Sequence, residues 1–164
     1  MKNILLIGCG HMGGSLMSGW SNSKNYTISV IDKKKYSILK KRNRNKKIKF
    51  FKSIDDINNQ NNFDYIIFAT RPLELTNVFK ELKNANFNKK SIAISVIAGK
   101  KTEIFKKNLL NISKIVRVMP NMPALIGEGV HCIYTNKSIN KKEIKEIDKL
   151  FSLSGKTLFF NNES

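Results

Sequence analysis

The sequence predicts an α/β fold: a doubly wound, mainly parallel sheet with helices on both faces. Three observations carry that expectation. Short, nearly continuous apolar segments alternate with helix-like segments along all 164 residues, the pattern of strands covered on both faces by crossover helices. The first apolar segment runs straight into Gly8-Cys9-Gly10-His11-Met12-Gly13, an unbroken Gly-x-Gly-x-x-Gly. Asp32 ends the second apolar segment, 19 residues beyond Gly13. Strand, glycine turn, helix and acid in that order form the fingerprint of a Rossmann-type dinucleotide-binding unit.

Each element follows from local pattern. Residues 3–8 are a strand and 11–21 a helix opened by the glycine turn. Residues 26–31 (YTISVI) are a second strand, 36–42 a helix, and 48–51 a short third strand. Ser53 offers an N-cap with Asp56 three residues on, opening a short helical turn. Residues 64–69 (DYIIFA) read as a fully buried strand that stops before Pro72. In 73–83, Leu75, Val78, Phe79 and Leu82 recur at the spacing of an amphipathic helix. Residues 91–98 (SIAISVIA) are a strand, 102–108 a helix and 115–119 a strand leading into Pro-Asn-Met-Pro. Residues 130–135 form a strand, 141–154 a helix and 157–160 a closing strand. With no repeat and no long linker, one domain is expected over 1–164; the run 58–62 (NNQNN) is a surface loop.

Composition narrows the classes. No apolar run approaches the roughly 20 residues that span a bilayer, and Met1 leads almost directly into a strand without a signal-peptide pattern. Cys9 and Cys132 are far apart in sequence, so a reduced, cytoplasmic protein is expected. The net charge of +18 raises a nucleic-acid reading. Against it, only four of the 30 basic residues are arginine (Arg42, Arg44, Arg71, Arg117), whereas specific phosphate and base contacts favour the guanidinium. A solvated lysine surface, densest over 33–52, is the expectation, with no specific nucleic-acid partner.

Candidate site residues cluster where a doubly wound sheet binds ligands, outside the carboxyl ends of its strands. Gly8 permits the tight turn, Gly10 brings backbone close to a pyrophosphate, and Gly13 packs the helix on the strand. Ala69-Thr70-Arg71-Pro72, Ala98-Gly99 and Asn121, stiffened between Pro120 and Pro123, lie at the later strand exits. Asp32 favours a ribose 2′-hydroxyl, while Lys33, Lys34 and Lys35 suit a 2′-phosphate, so NADPH and NADH both stay open. His11 and His131 have no acidic or cysteine neighbours at ligand spacing, so no metal site is expected. No base accompanies Ser15 or Ser95, which leaves a hydrolase triad without support.

Four segments together carry a family resemblance: 7–13 (IGCGHMG), 68–72 (FATRP), 94–99 (ISVIAG) and 116–124 (VRVMPNMPA), the last followed by Gly127-Glu128-Gly129. The chain resembles the N-terminal domain of the pyrroline-5-carboxylate reductases over essentially its whole length. The resemblance implies hydride transfer from NADPH or NADH to the C=N bond of 1-pyrroline-5-carboxylate, giving L-proline. By matching positions it implies cofactor contacts from Gly8, Cys9, Gly10, His11, Met12 and Gly13, then Asp32 and Lys33 near the adenosine ribose. It further implies contacts from Ser53, Ala69, Thr70, Arg71, Pro72, Ile97, Ala98, Gly99 and Asn121, and identifies no catalytic residue within the chain. Thr70-Arg71-Pro72 stands where the family usually has Val-Lys-Pro, and Ile97 where a small residue is usual. The family continues into a C-terminal helical dimerisation domain that is absent from 1–164. The expectation is therefore a truncated or split reductase whose helical half comes from a partner chain or a homo-oligomer. The alternatives are a non-catalytic dinucleotide-binding module and another Rossmann dehydrogenase.

Overall fold

Successive side chains of β1 (Lys2–Ile7) divide between two cores, because a strand turns alternate residues to opposite faces. Ile4 and Leu6 join one core, Leu5 and Ile7 the other. The computed structural model describes residues 1–121 and 128–163. Within them the sheet extends through β2 (Tyr26–Ile31), β3 (Ile48–Phe51), β4 (Tyr65–Phe68), β5 (Ile92–Ser95), β6 (Lys114–Pro120), β7 (Gly129–Thr135) and β8 (Gly155–Phe160). Spatial order is β3-β2-β1-β4-β5-β6-β7-β8. Neighbours pair in parallel except β6 and β7, which are antiparallel with Met119 opposite Cys132. The chain winds outward from β1 to β3, then returns to start again at β4. The carboxyl ends of β1 and β4 thus flank the point where strand order reverses, the position at which such sheets open a crevice.

Among the described residues five α-helices flank the sheet: α1 (His11–Ser21), α2 (Tyr36–Arg42), α3 (Leu75–Glu81), α4 (Thr102–Asn108) and α5 (Lys141–Phe151). Leu16 and Trp20 of α1 pack with Ile147, Leu150 and Phe151 of α5 on one face. Leu75, Val78 and Phe79 of α3 join Phe105 of α4 on the other. The Trp20 ring is fully buried, and its Nε1–H donates to the Leu150 carbonyl at 3.0 Å. That bond satisfies the single polar atom of a large apolar side chain. Phe68, Phe79 and Phe105 stack edge-on or tilted at centroid distances of 5.1–6.0 Å. Removing one such ring from water contributes about 1.5–3 kcal/mol. By contrast, α2 places no buried residue against the sheet.

Several elements differ in extent from the sequence pattern. The segment expected as a strand over 91–98 leaves the sheet after Ser95, and Gly99 turns with φ 70° before α4. The helix expected over 73–83 begins at Leu75, because Arg71 to Glu74 form a turn closed by the Glu74 N–H on the Arg71 carbonyl. The helix expected over 141–154 ends at Phe151, and the closing strand starts two residues earlier than expected, at Gly155. The loop over 58–62 contains a 3-10 turn, Gln60–Asn62. Met122, Pro123, Ala124 and Gly127, part of the most specific sequence segment, lie outside the described residues.

Candidate functional site

Close contacts build the turn between β1 and α1. Gly8 has φ 92°, and a Cβ there would lie 2.8 Å from the Ala69 carbonyl oxygen. At Gly13 a Cβ would fall 2.3 Å from the Gly8 carbonyl oxygen, so α1 can sit on the turn only without a side chain. Gly10 differs: a Cβ there would meet nothing within 4 Å. Its lack of a side chain leaves open space above the turn instead of relieving a clash. The first turn of α1 has neither an acidic residue nor a side-chain cap, so its free amides and positive dipole end remain available to an anion.

Above this turn lies a cavity of about 410 Å³, lined by Gly8, Gly10, His11, Met12, Asp32, Ala69, Thr70 and Arg71 among others. A second cavity of about 320 Å³ adjoins it, with Ile7, Ile31 and Val78 as apolar wall and Lys33, Lys34 and Lys52 at its rim. Gly8, Asp32, Lys34, Thr70 and Glu74 line both, so the two form one groove over the carboxyl ends of β1, β2 and β4. The Thr70 hydroxyl is buried against this groove without a hydrogen-bond partner among the described residues. A buried orphan hydroxyl carries a desolvation cost that a polar ligand would relieve.

Asp32 braces the corner. One carboxylate oxygen accepts the Cys9 N–H at 2.8 Å and the other accepts the Lys35 N–H at 2.9 Å. Lys35 answers by donating its Nζ to the Cys9 carbonyl at 3.1 Å. Both peptide groups of Cys9 are therefore tied to the end of β2. Its side chain points into the core, where burial, helped by the nearby Asp32 charge, pushes the thiol up from its ordinary value. It is a packed thiol, not a nucleophile. Across the groove, Lys34 Nζ meets Glu74 Oε1 at 2.5 Å. The hydrogen bond from Lys34 is the main influence holding the Glu74 carboxyl below its ordinary value.

The remaining predicted residues are distributed less closely. Ser53 precedes a 3-10 turn, Ile54–Asp56, and its N–H donates to Asp56 Oδ2 at 3.0 Å; the adjacent Lys52 lines the groove in its place. Pro72 is exposed beside Arg71, and Ala98 and Gly99 are exposed beyond β5. Ile97 is only 3% exposed and packs in the core on the α3 and α4 side. The side-chain carbonyl oxygen of Asn121 accepts the Val130 N–H at 2.9 Å, tying the residue after β6 to the start of β7. Glu74, Asn77, Val78 and Glu81 line the groove without having been marked by sequence; all four follow from α3 beginning beside the cavity. His131 is buried with its Nε2 2.9 Å from the Ser154 hydroxyl, but its Nδ1 has no partner, so no third residue completes a catalytic relay. Among the described residues no group of histidine, cysteine and carboxylates is arranged to hold a metal ion, and no helix is long and apolar enough to cross a membrane.

Fold and groove together define a Rossmann-type domain with a cleft at its switch point. Residues 3–99 match the family described as NADP oxidoreductase coenzyme F420-dependent, and the chain belongs to that family. Among curated relatives, the pyrroline-5-carboxylate reductase of Haemophilus influenzae is 30% identical over 121 residues, 70% of this chain and 44% of that protein. That of Methanosarcina acetivorans is 29% identical over 154 residues, 94% of this chain and 57% of that protein. The chain thus spans about half the length of the curated relatives it matches. A solved pyrroline-5-carboxylate reductase from Coxiella burnetii superposes with a TM-score of 0.80 at 22% identity, over 99% of this chain and 60% of that one. The Plasmodium falciparum pyrroline carboxylate reductase with NADP bound gives 0.75 at 23%, over 98% and 58%.

Proposed function

We propose that this chain is the dinucleotide-binding half of a pyrroline-5-carboxylate reductase. Residues 1–164 act as one unit, and the reaction reduces the C=N bond of 1-pyrroline-5-carboxylate to give L-proline. NADPH or NADH supplies the hydride when bound. The observation that carries the reading is the groove itself: an uncapped helix end, open space over Gly10 and the orphan Thr70 hydroxyl converge on one cavity. Relatives of that name match along nearly the whole chain.

The residues divide the work. The first-turn amides of α1, at Met12 and Gly13, hold a diphosphate, and Arg71 supplies counter-charge at the rim. Thr70 gives its hydroxyl to the ligand, and Ala69 and Pro72 shape the wall. Asp32 holds the corner in position while Lys33 faces the adenosine end, with Ser53 acting there through the turn that presents its neighbour Lys52. His11 covers the mouth, and Cys9 contributes only backbone, because its thiol is packed inside. Ile97 acts through its main chain, Ala98 and Gly99 through the short exit after β5, and Asn121 through the amide NH₂ that its bond to Val130 leaves free.

The substrate half is supplied by a helical domain outside residues 1–164. The exposed apolar residues Leu158, Phe159 and Phe160 on β8 support this, since they lie on the strand at the sheet edge and each stays about half exposed. The lysine-rich surface is solvated and takes no specific nucleic acid, and the protein works in the cytoplasm with Cys9 and Cys132 reduced. Titrating NADPH and NADH into the 164-residue chain, then adding 1-pyrroline-5-carboxylate, tests the proposal. Cofactor binding with little oxidation, restored by a helical partner, is expected. Absence of any binding overturns the reading, and rapid turnover by the lone chain overturns the need for a partner.

A further inference from the structure

We propose that Glu74 sets the discrimination between 2′-phosphorylated and unphosphorylated dinucleotides by holding Lys34 across the groove. The inference rests on the dinucleotide reading above. In a doubly wound sheet the end of the second strand meets the adenosine ribose: a free carboxylate there reads a 2′-hydroxyl, and a nearby cation accommodates a 2′-phosphate. In this chain both carboxylate oxygens of Asp32 are occupied by main-chain N–H groups, of Cys9 and Lys35. Asp32 therefore braces the corner, and the lysines that follow it supply the charge that a 2′-substituent meets.

Those three lysines are not equivalent. Lys35 is spent on the Cys9 carbonyl. Lys33 is exposed on the rim and makes no ion pair among the described residues. Lys34 reaches over the groove from the β2 side to Glu74 at the start of α3, at 2.5 Å. Glu74 is the residue before α3 and its side chain caps no helix amide; besides Lys34, its carboxylate is held only by the Arg71 main chain and the nearby Arg71 charge, both weaker influences than the Lys34 bond. Both partners line both cavities, so the bridge sits where they join. A phosphate arriving at this point offers Lys34 a stronger, doubly charged acceptor but also meets the Glu74 carboxylate. Glu74 thus opposes the 2′-phosphate twice, by competing for Lys34 and by like-charge repulsion. A 2′-hydroxyl carries no charge and meets neither penalty.

The test is fluorescence titration of NADPH and NADH against the full chain and three variants, E74Q, K34A and the double variant. Glu74→Gln is close to isosteric and removes the charge without emptying the site. It should tighten NADPH by on the order of three- to five-fold, the scale of one exposed ion pair, and leave NADH within about two-fold. Lys34→Ala should weaken NADPH by a similar factor, and Glu74→Gln made on that background should have a smaller effect than on the native chain. Equal changes for both cofactors, or additive effects in the double variant, would overturn the role of the bridge while leaving dinucleotide binding intact. Failure of the native chain to bind either cofactor would overturn the dinucleotide reading as well.

Discussion

His131 Nε2 stands 2.9 Å from the Ser154 hydroxyl in a place that solvent does not reach. The imidazole comes from β7 and the hydroxyl from the turn between α5 and β8. The Phe151 ring lies 5.4 Å away, centroid to centroid. The serine hydroxyl also donates to the Phe151 carbonyl at 3.1 Å, so the pair ties the last helix to the antiparallel strand.

Acidification should loosen this tie. Burial pulls the His131 pKa below its ordinary value of 6.5, with the Ser154 contact opposing only in part. Below 6.5 the unfolded chain binds a proton that the folded one resists. The stabilisation is complete above that pH and is lost as pH falls from 6.5 toward the folded value. Thermal unfolding of the native chain should therefore show a Tm that drops between about pH 7 and pH 5 more steeply than that of His131→Leu, which cannot titrate. Parallel pH profiles for the two would rule His131 out as the responsible group.

The glycines of the turn should separate stability from ligand binding. Gly13→Ala drives a methyl into the Gly8 carbonyl oxygen and should cost about 1–3 kcal/mol in urea unfolding. Gly10→Ala meets no atom, so its unfolding midpoint should match the native chain while dinucleotide affinity falls. A Gly10→Ala protein that binds as the native chain does would mean that no ligand passes close over Gly10.

Replacing Asp32 by Asn should destabilise the corner although the shape is kept. The carboxylate accepts two main-chain N–H groups on separate oxygens, and an amide has one acceptor oxygen, so one N–H loses its partner. The expected loss is about 1–3 kcal/mol, read from the urea midpoint at unchanged m-value. A change within about 0.5 kcal/mol, the range of ordinary surface substitutions, would show that Asp32 braces nothing.

Glu163 near the chain end should matter more than its position suggests. Its carboxylate accepts the Thr102 N–H at 2.5 Å and the Thr102 hydroxyl at 2.7 Å, at the start of α4. Arg117 Nη1 lies 3.6 Å away, with both side chains largely buried. Glu163→Ala leaves the helix start uncapped and a buried guanidinium without its counter-ion. A loss of about 1–3 kcal/mol is expected by calorimetry or denaturant unfolding. Native stability in the variant would mean that the terminal segment is not docked in solution.

Much of this was legible in sequence because it is local. The strand before Gly8, the helix after Gly13 and the acid at Asp32 each declare themselves within a few residues. The groove wall contributed by Glu74 does not. Glu74 acquires meaning only from Lys34, 40 residues away in sequence, and no periodicity records which two loops will face each other. The reversal at β7 is equally silent, since an antiparallel strand buried on its inner face carries the same apolar signature as its parallel neighbours. Ile97 and Asn121 show a further limit. Both stand at strand exits, yet Ile97 packs into the core and the Asn121 side-chain carbonyl is committed to the Val130 N–H, contacts set by residues distant in sequence.

The absence of any buried residue on α2 has a consequence for how this protein can change. A helix that gives the core only the half-buried Leu39 is under little folding constraint, so the rest of its surface is free to drift. Lysine can accumulate there at no cost to the rest of the molecule. The adenosine end of the groove, held by the hydrogen bonds of one carboxylate, is thus the part of the domain that substitution can remodel most cheaply. A change of cofactor preference made in this stretch would leave the two cores, and the melting temperature they set, where they are.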